Sequence, residues 1–429
     1  MKKKYRIILY TSIFLLCVVA SIILVVKKSN SVYEEESKPK VVKHKSMLSM
    51  NLEQTAGAGD YKTVTQSKWP TEGYKFNAEL SRCENGSTLS WDDTKKAVIV
   101  SGNLSDKCYV YFDIYQPTLA EYIKSQYTGT QGENNIYYHD SDLANGAGDN
   151  SYRYAGANPN NFVCFGTTES PCPTDNLYRI IGVFGENYHG VTGKQLVKLI
   201  KYDYMTTDEL GTDGDYSQTY KEWGMDSTYK GTYGDGERIG VYYWNYKATG
   251  SATNTWSTSL LNKTNLNTNF INNIGTTWAN KIATVTWKVG GNTWANIGTK
   301  TSSVAYTNEI TNPVTTNTTD NATTYSAKIG LMYVSDYGFA ASPDAWTLTM
   351  SSYNNTTATN NNWMYMGLYE WTISRIADNS NNAFSVIYDG NVYISNVYYI
   401  YGVRPSFSLL SSTTYVSGSG SMSDPVRIN

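Results

Sequence analysis

The side chains able to do covalent chemistry are few in this chain. Its three histidines are His44, His139 and His189, each set among polar or turn-forming residues. A Ser-His-Asp or Cys-His arrangement would have to rest on His139 or His189. No Gly-x-Ser-x-Gly elbow or phosphate-cradling glycine loop accompanies either. Glu370 and Asp344 could act as paired carboxylates in acid–base chemistry. A glutamate next to a tryptophan, here Trp371, is more often an ordinary hydrogen-bonded residue. The run Asp140-Ser-Asp-Leu-Ala-Asn-Gly-Ala-Gly-Asp149 has the texture of a calcium loop. Its third ligand position is Ala144 and no glutamate closes it, so an Asx-rich turn fits better. The same holds for Gly211–Asp215 and Gly234–Glu237. These residues predict no catalytic centre, no metal site and no cofactor.

Cysteine usage points to crosslinks instead. Cys83, Cys108, Cys164 and Cys172 remain once Cys17 is set aside within an apolar N-terminal run. An even number in an exported chain reads as disulfides, and the spacings do not suit zinc. Sequence order suggests Cys83–Cys108 and Cys164–Cys172, each stabilising by roughly 3 kcal/mol in the chain-entropy account. The apolar run, residues 7–26, is long enough to cross a bilayer as a helix. Lys2, Lys3, Lys4 and Arg6 before it outnumber Lys27 and Lys28 after it, which places the N-terminus in the cytoplasm. A cleaved signal peptide competes with this reading, but no small-x-small site follows Val26. The expectation is a single-pass cell-membrane protein whose bulk is extracellular.

Over 429 residues the formal net charge is −2, and charged residues make up 17%. No basic face suggests a nucleic-acid partner. Tyr numbers 38, and Asn, Thr, Ser and Gly fill much of the rest, a composition of strands and loops. Four regions follow: a cytoplasmic tip and anchor at 1–28, a polar stalk at 29–59, a small disulfide-linked β module at 60–117, and one larger domain at 118–429. In the module, Leu89–Trp91, Ala97–Val100 and Cys108–Phe112 read as strands. Thr118-Leu-Ala-Glu121 is a capping box opening a short helix. Leu177–Phe184 and Gln195–Lys201 should pair as strands. Leu266, Phe270, Ile271 and Ile274 recur at helical spacing before Gly275, where a helix would stop. Lys328–Val334 reads as a further strand, followed by a turn or short helix at Ser335–Ala340.

Several motifs occur in an order that is similar to a family of uncharacterised bacterial surface domains. They are Tyr178-Arg-Ile-Ile-Gly-Val183, Lys198-Leu-Ile-Lys201, Trp256–Asn262, Lys328-Ile-Gly-Leu-Met332, Trp371-Thr-Ile-Ser-Arg375 and Gly402-Val-Arg-Pro405. The resemblance covers roughly 150–428. Those domains resemble the C-type lectin-like fold, near the formylglycine-generating enzyme and the variable proteins of diversity-generating retroelements. The resemblance implies an α+β chain with a C-terminal C-type lectin-like domain, after the small all-β module and the transmembrane helix. It also implies that Trp371, Arg375, Gly402 and Arg404 are framework. The enzyme's C-terminal cysteines are missing here, as are the Glu-Pro-Asn and Gln-Pro-Asp motifs of calcium-dependent lectins.

Between the framework motifs, residues 376–401 are rich in Tyr, Ser, Asn and Gly, the composition of antibody loops. The run lacks Lys, Glu, Gln, Met and Trp, which suits retroelement diversification of Asn-type codons. A tyrosine-rich hairpin turning at Tyr388-Asp-Gly-Asn391 explains it equally well. In either case alternate side chains would share a face. The candidate contact residues are Tyr365, Tyr369, Ile376, Asn379, Ile387, Asn391, Tyr393, Ser395, Asn396, Tyr398 and Tyr399. The function expected from them is binding or adhesion to an extracellular protein or glycan. A structural envelope protein without a ligand, or an enzyme on a formylglycine-generating-enzyme-like scaffold, are the competing readings.

Overall fold

The computed structural model describes residues 48–65, 68–70, 73–213, 229–232, 239–246, 252–312, 322–354 and 356–429. The chain divides into two compact units, one ending at Gln116 and the other running from Pro117 to Asn429. It is mostly β sheet, 33% strand against 23% helix, which corrects the α+β lectin-like class expected from sequence. Asn, Thr and Gly dominate the segments between strands, and these residues compete poorly for long helices. Among the described residues no helix is long and apolar enough to cross a membrane. The run 7–26 lies outside them, as do His44 and the Gly234–Glu237 turn. The single-pass membrane location expected from that run is therefore not supported.

In the first unit, β1 (Leu48–Glu53), β2 (Tyr61–Val64), β3 (Tyr74–Cys83) and β6 (Cys108–Ile114) form a sheet ordered β2-β1-β6-β3. A separate hairpin joins β4 (Thr88–Asp92) and β5 (Ala97–Ser101). Strand β1 lies inside the segment read as a stalk, so the stalk cannot run to residue 59. Leu48, Met50 and Leu52 alternate with polar residues, and β1 pairs in parallel with β6, burying Met50 and Leu52 against Val110 and Phe112.

The Cys83–Cys108 disulfide joins cross-strand partners on β3 and β6. Among the described residues only four hydrophobic side chains are buried in this unit's core cluster, so the crosslink carries much of its stability. Cys83→Ser with Cys108→Ser is expected to lower that stability by about 3 kcal/mol. Chemical denaturation should then show an early transition that the parent protein lacks. A single unshifted transition would remove the crosslink from this role.

The second unit opens with helix α1 (Leu119–Ser125), and Thr118 and Glu121 form the reciprocal capping box. Strands β7 (Ile136–His139), β8 (Ser151–Tyr154), β9 (Phe162–Cys164), β10 (Leu177–Phe184) and β11 (Leu196–Lys201) follow. Strands β10 and β11 are buried along their whole length and pair antiparallel. Gly182 sits at their bulge, where a Cβ would meet the Tyr152 carbonyl oxygen at 2.2 Å. Any larger residue would push β8 away from β10.

Next in the chain come β12 (Val241–Tyr243), β13 (Val285–Lys288), β14 (Thr324–Ala327) and β15 (Ile329–Gly330). The expected strand over 328–334 shrinks to β15, because Val334–Ala340 forms a fully buried helix, α2. The Asp336 carboxylate accepts the Tyr333 N–H at 3.0 Å and caps that helix. The helical stretch around Leu266 and Phe270 breaks at Gly275, as expected, and a second short helical segment follows to Ala279. Gly275 takes φ 76° at the break, a conformation that only glycine adopts freely.

Then follow β16 (Glu370–Arg375), β17 (Asn382–Val386), β18 (Val392–Asn396), β19 (Ile400–Gly402) and β20 (Ser406–Ser408), and a final two-stranded pair, β21 (Tyr415–Ser417) with β22 (Arg427–Ile428). One sheet runs β15-β20-β11-β10-β8-β7, with β9 added on β10; a second runs β12-β19-β16-β17-β18. The second sheet carries the candidate site.

Candidate functional site

Strands β17 and β18 form an antiparallel hairpin whose loop spans Ile387–Asn391. Its register aligns Trp371 with Ser385, and Ser385 with Tyr393, across three strands. Cross-strand partners share a face, so these residues and their i±2 neighbours define one side of the sheet. Trp371 is fully buried and donates its indole N–H to the Tyr242 carbonyl at 2.7 Å. The Tyr401 ring lies 4.5 Å from it, and Tyr369 stacks on Tyr401 at 4.8 Å.

From this buried pair the rings continue outward. Tyr388 lies 5.5 Å from Tyr369, Tyr399 lies 6.2 Å from Tyr401, and Tyr398 meets Tyr399 edge-on at 5.8 Å. Tyr388, Tyr398 and Tyr399 are 49%, 53% and 50% exposed. Tyr393, 55% exposed, is propped edge-on against Trp294 at 5.9 Å. Large aromatic surface left in water on a rigid base is costly unless something covers it. Beneath the rings lies a polar floor. The Tyr401 hydroxyl donates to Ser395 Oγ at 3.1 Å, and Ser395 and Ser385 share a hydrogen bond of 2.7 Å. Burial pushes the Tyr401 phenol up to about 12, so it stays a neutral donor.

The framework residues hold this sheet from behind. Arg404 grips Glu370 through two hydrogen bonds of 2.8 and 2.9 Å, and both side chains are buried. Arg404 Nη2 also donates to the Met364 carbonyl at 2.6 Å. Burial holds the Glu370 carboxyl above its usual range, although Arg404 pulls the other way. Gly402 leaves room for the Tyr204 ring, which a Cβ there would meet at 2.6 Å. Arg375 donates through Nε to the Val289 carbonyl at 2.9 Å, while its buried Nη1 has no acceptor among the described residues.

Not all expected contact residues reach the surface. Tyr365, Ile376 and Ser395 are buried and are corrected from contact to support positions. The Tyr365 hydroxyl holds the Tyr388 carbonyl at 2.5 Å and so fixes the hairpin loop. Ile376 bridges to Asn292, and Ser395 belongs to the polar floor. Asn379 is exposed, but its carboxamide oxygen accepts the Asn381 N–H at 2.8 Å and shapes the turn between β16 and β17. Ile387, Asn391 and Asn396 are half-buried, and Asn391 and Asn396 accept backbone N–H groups of Asn354 and Tyr398. Tyr369 is half-buried between exposed and buried rings. Tyr388 was missed as a contact residue; its place at the hairpin tip, where a side chain has least cover, is the signal that could have found it.

The candidate catalytic groups are engaged elsewhere. Glu370 gives both oxygens to Arg404, and Asp344 is exposed in a separate turn, so no carboxylate pair forms. His139 and His189 each accept a backbone N–H through Nδ1, and burial holds both rings below their ordinary pKa. Asp140 accepts the N–H groups of Asp142 and Leu143 in an Asx turn. Away from the tyrosines, an open cleft of about 470 Å³ adjoins the Cys164–Cys172 disulfide, lined by Trp278, Asp424 and Arg427 among others. Comparison with protein-family models, curated proteins and solved structures finds no match to this chain.

Proposed function

We propose that this chain is a ligand-binding or adhesion protein that contacts its ligand through Tyr388, Tyr393, Tyr398 and Tyr399. The observation that carries this reading is the ladder of exposed tyrosines continuous with the buried pair Tyr401 and Trp371. Half-exposed rings held by buried ones keep their orientation, so little side-chain entropy is lost when a partner covers them. Rings with hydroxyl tips and a serine floor present flat apolar area beside donors and acceptors. That chemistry suits a protein loop or the face of a sugar ring. The two disulfides accord with a protein working in an oxidising compartment. The resemblance to bacterial surface domains supports the same reading, since it assigns Trp371 and Arg404 to framework.

Screening the full chain on protein and glycan arrays tests this. A recovered ligand is expected to bind about 30-fold or more weakly to the Tyr398→Ala, Tyr399→Ala double variant, as for a hot spot of about 2 kcal/mol. Unchanged affinity would sink the assignment of the site, and binding to nothing would favour a structural role.

A further inference from the structure

Buried cations in the second unit follow a rule with two exceptions. Arg153, Lys198, Lys201 and Arg404 each have a carboxylate within 3.1 Å, on Asp149, Asp336, Glu209 and Glu370 respectively. Arg179 and Arg375 have none among the described residues. Nη1 of Arg375 is sealed inside the protein, so no ligand can reach it. Arg179 differs.

Arg179 projects from β10 and is buried, yet every partner it has is neutral. Nε donates to the Asn161 carboxamide oxygen at 2.5 Å, and Nη2 donates to the Pro159 carbonyl at 3.2 Å. The guanidinium carbon lies over two aromatic rings, 4.0 Å from the centre of Phe162 and 4.8 Å from that of Trp363. Nη1 is the remaining nitrogen: it donates to no described residue and is not among the sealed polar atoms. Tyr202 lies close by, its ring 5.2 Å from Phe162.

A buried cation is retained at a cost unless a counter-charge meets it, and Arg404 nearby adds like charge. Burial, with that like charge, pushes the Arg179 guanidinium down to about 9. Aromatic faces hold the plane rigid and leave its edge as the unspent donor. The carboxylates near Arg404 and Tyr202 are committed. Glu370 is taken by Arg404, while Asp203 accepts from the Tyr229 hydroxyl and the Thr232 N–H.

We infer that Arg179, its guanidinium over the Phe162 and Trp363 rings and its Nη1 unspent, is a receptor for one oxyanion of a ligand, a carboxylate or a phosphate. The charge-assisted hydrogen bond from Nη1 would be the main contact. This site uses none of the tyrosines of the proposed contact face, so either can fail without the other.

The test is NMR observation of arginine Nε–H resonances in the full chain, titrated with sodium acetate and with inorganic phosphate. Sodium chloride at matched ionic strength is the control. The Arg179 resonance is expected to shift saturably with one or both anions and not with chloride. A response to acetate alone identifies a carboxylate ligand, and a response to phosphate alone identifies a phosphate ligand. Arg179→Lys, which keeps the charge but loses the planar fork, is expected to bind the anion at least tenfold more weakly by calorimetry. Arg179→Met should abolish binding. No saturable shift in the parent protein, which needs no variant to fold, would overturn the proposal, as would undiminished binding in Arg179→Met.

Discussion

Arg404→Ala is expected to cost the second unit roughly 3–5 kcal/mol, because it leaves the buried Glu370 carboxylate without its cation. The loss has two parts. Glu370 would keep both oxygens out of water with no bidentate donor, and the Met364 carbonyl would lose its Arg404 hydrogen bond of 2.6 Å. The penalty depends on pH, with a sign fixed by the shift at Glu370. Its folded-state pKa lies above the ordinary value of 4.5, with burial as the main cause. A carboxyl raised in this way contributes stability that is fully present below the unfolded pKa and is lost as pH rises through the folded pKa. Removing Arg404 raises Glu370 further, since Arg404 is what pulls it down. The difference between parent and variant should therefore be largest near neutrality and shrink in acid, where a neutral Glu370 needs no cation. Urea denaturation across that range checks both size and slope. The double variant Glu370→Leu, Arg404→Met should recover much of the loss, because a packed apolar pair carries no desolvated charge. A single variant that costs nothing at neutral pH would show that the pair does not hold the framework.

Trp371→Ala is expected to cost a similar amount, roughly 3–5 kcal/mol, from lost burial and the cavity left behind. Its consequence reaches further than stability. Tyr401 rests on Trp371, and Tyr369 and Tyr399 rest on Tyr401. Without the indole the ladder loses its base and the exposed rings gain rotamers that a ligand must freeze again. Binding should weaken in Trp371→Ala even where the protein remains folded, and the calorimetric entropy of binding should become less favourable. Trp371→Phe keeps a ring but loses the hydrogen bond to the Tyr242 carbonyl. It is expected to cost less in stability and to keep most of the affinity. Equal losses of affinity in both variants would place the indole N–H, and not the ring's support, at the origin of the effect.

The parts of this fold legible in sequence are those where local chemistry and burial agree. The capping box at Thr118 and Glu121 names its helix because the two side chains satisfy backbone donors three residues apart. Leu177–Phe184 and Leu196–Lys201 read as strands because their sheet position buries both faces. Strand β1 escaped notice because its alternation of Leu48, Met50 and Leu52 lies after a polar tract and its partner, β6, comes later in the chain. The helix Val334–Ala340 is legible only as a turn or short helix over Ser335–Ala340. A run apolar on all sides has no period, and Asp336, which caps it, is also held by Tyr188 and Lys198 from distant segments.

The candidate site was half legible. Tyrosine and serine content marked 376–401 as a contact run, yet composition cannot say which way a side chain points. Register decides that. Ser395 and Tyr393 lie two apart on β18 and share a face, but Ser395 pairs with Ala383 and lies under the Tyr401 hydroxyl. Tyr393 stands clear at the sheet edge against Trp294. Tyr365 was expected at the surface and instead braces the hairpin loop from beneath. The resemblance implies Arg404 as framework, but nothing local identifies Glu370, thirty-four residues earlier, as its partner.

The most direct measurement of the central claim is hydroxyl-radical footprinting of the full chain with and without a ligand recovered from the arrays. The account predicts protection of Tyr388, Tyr393, Tyr398 and Tyr399, with little change at Trp278 and Met422 near the disulfide-lined cleft. Protection confined to the cleft, with the four tyrosines as reactive as in the free protein, would contradict it.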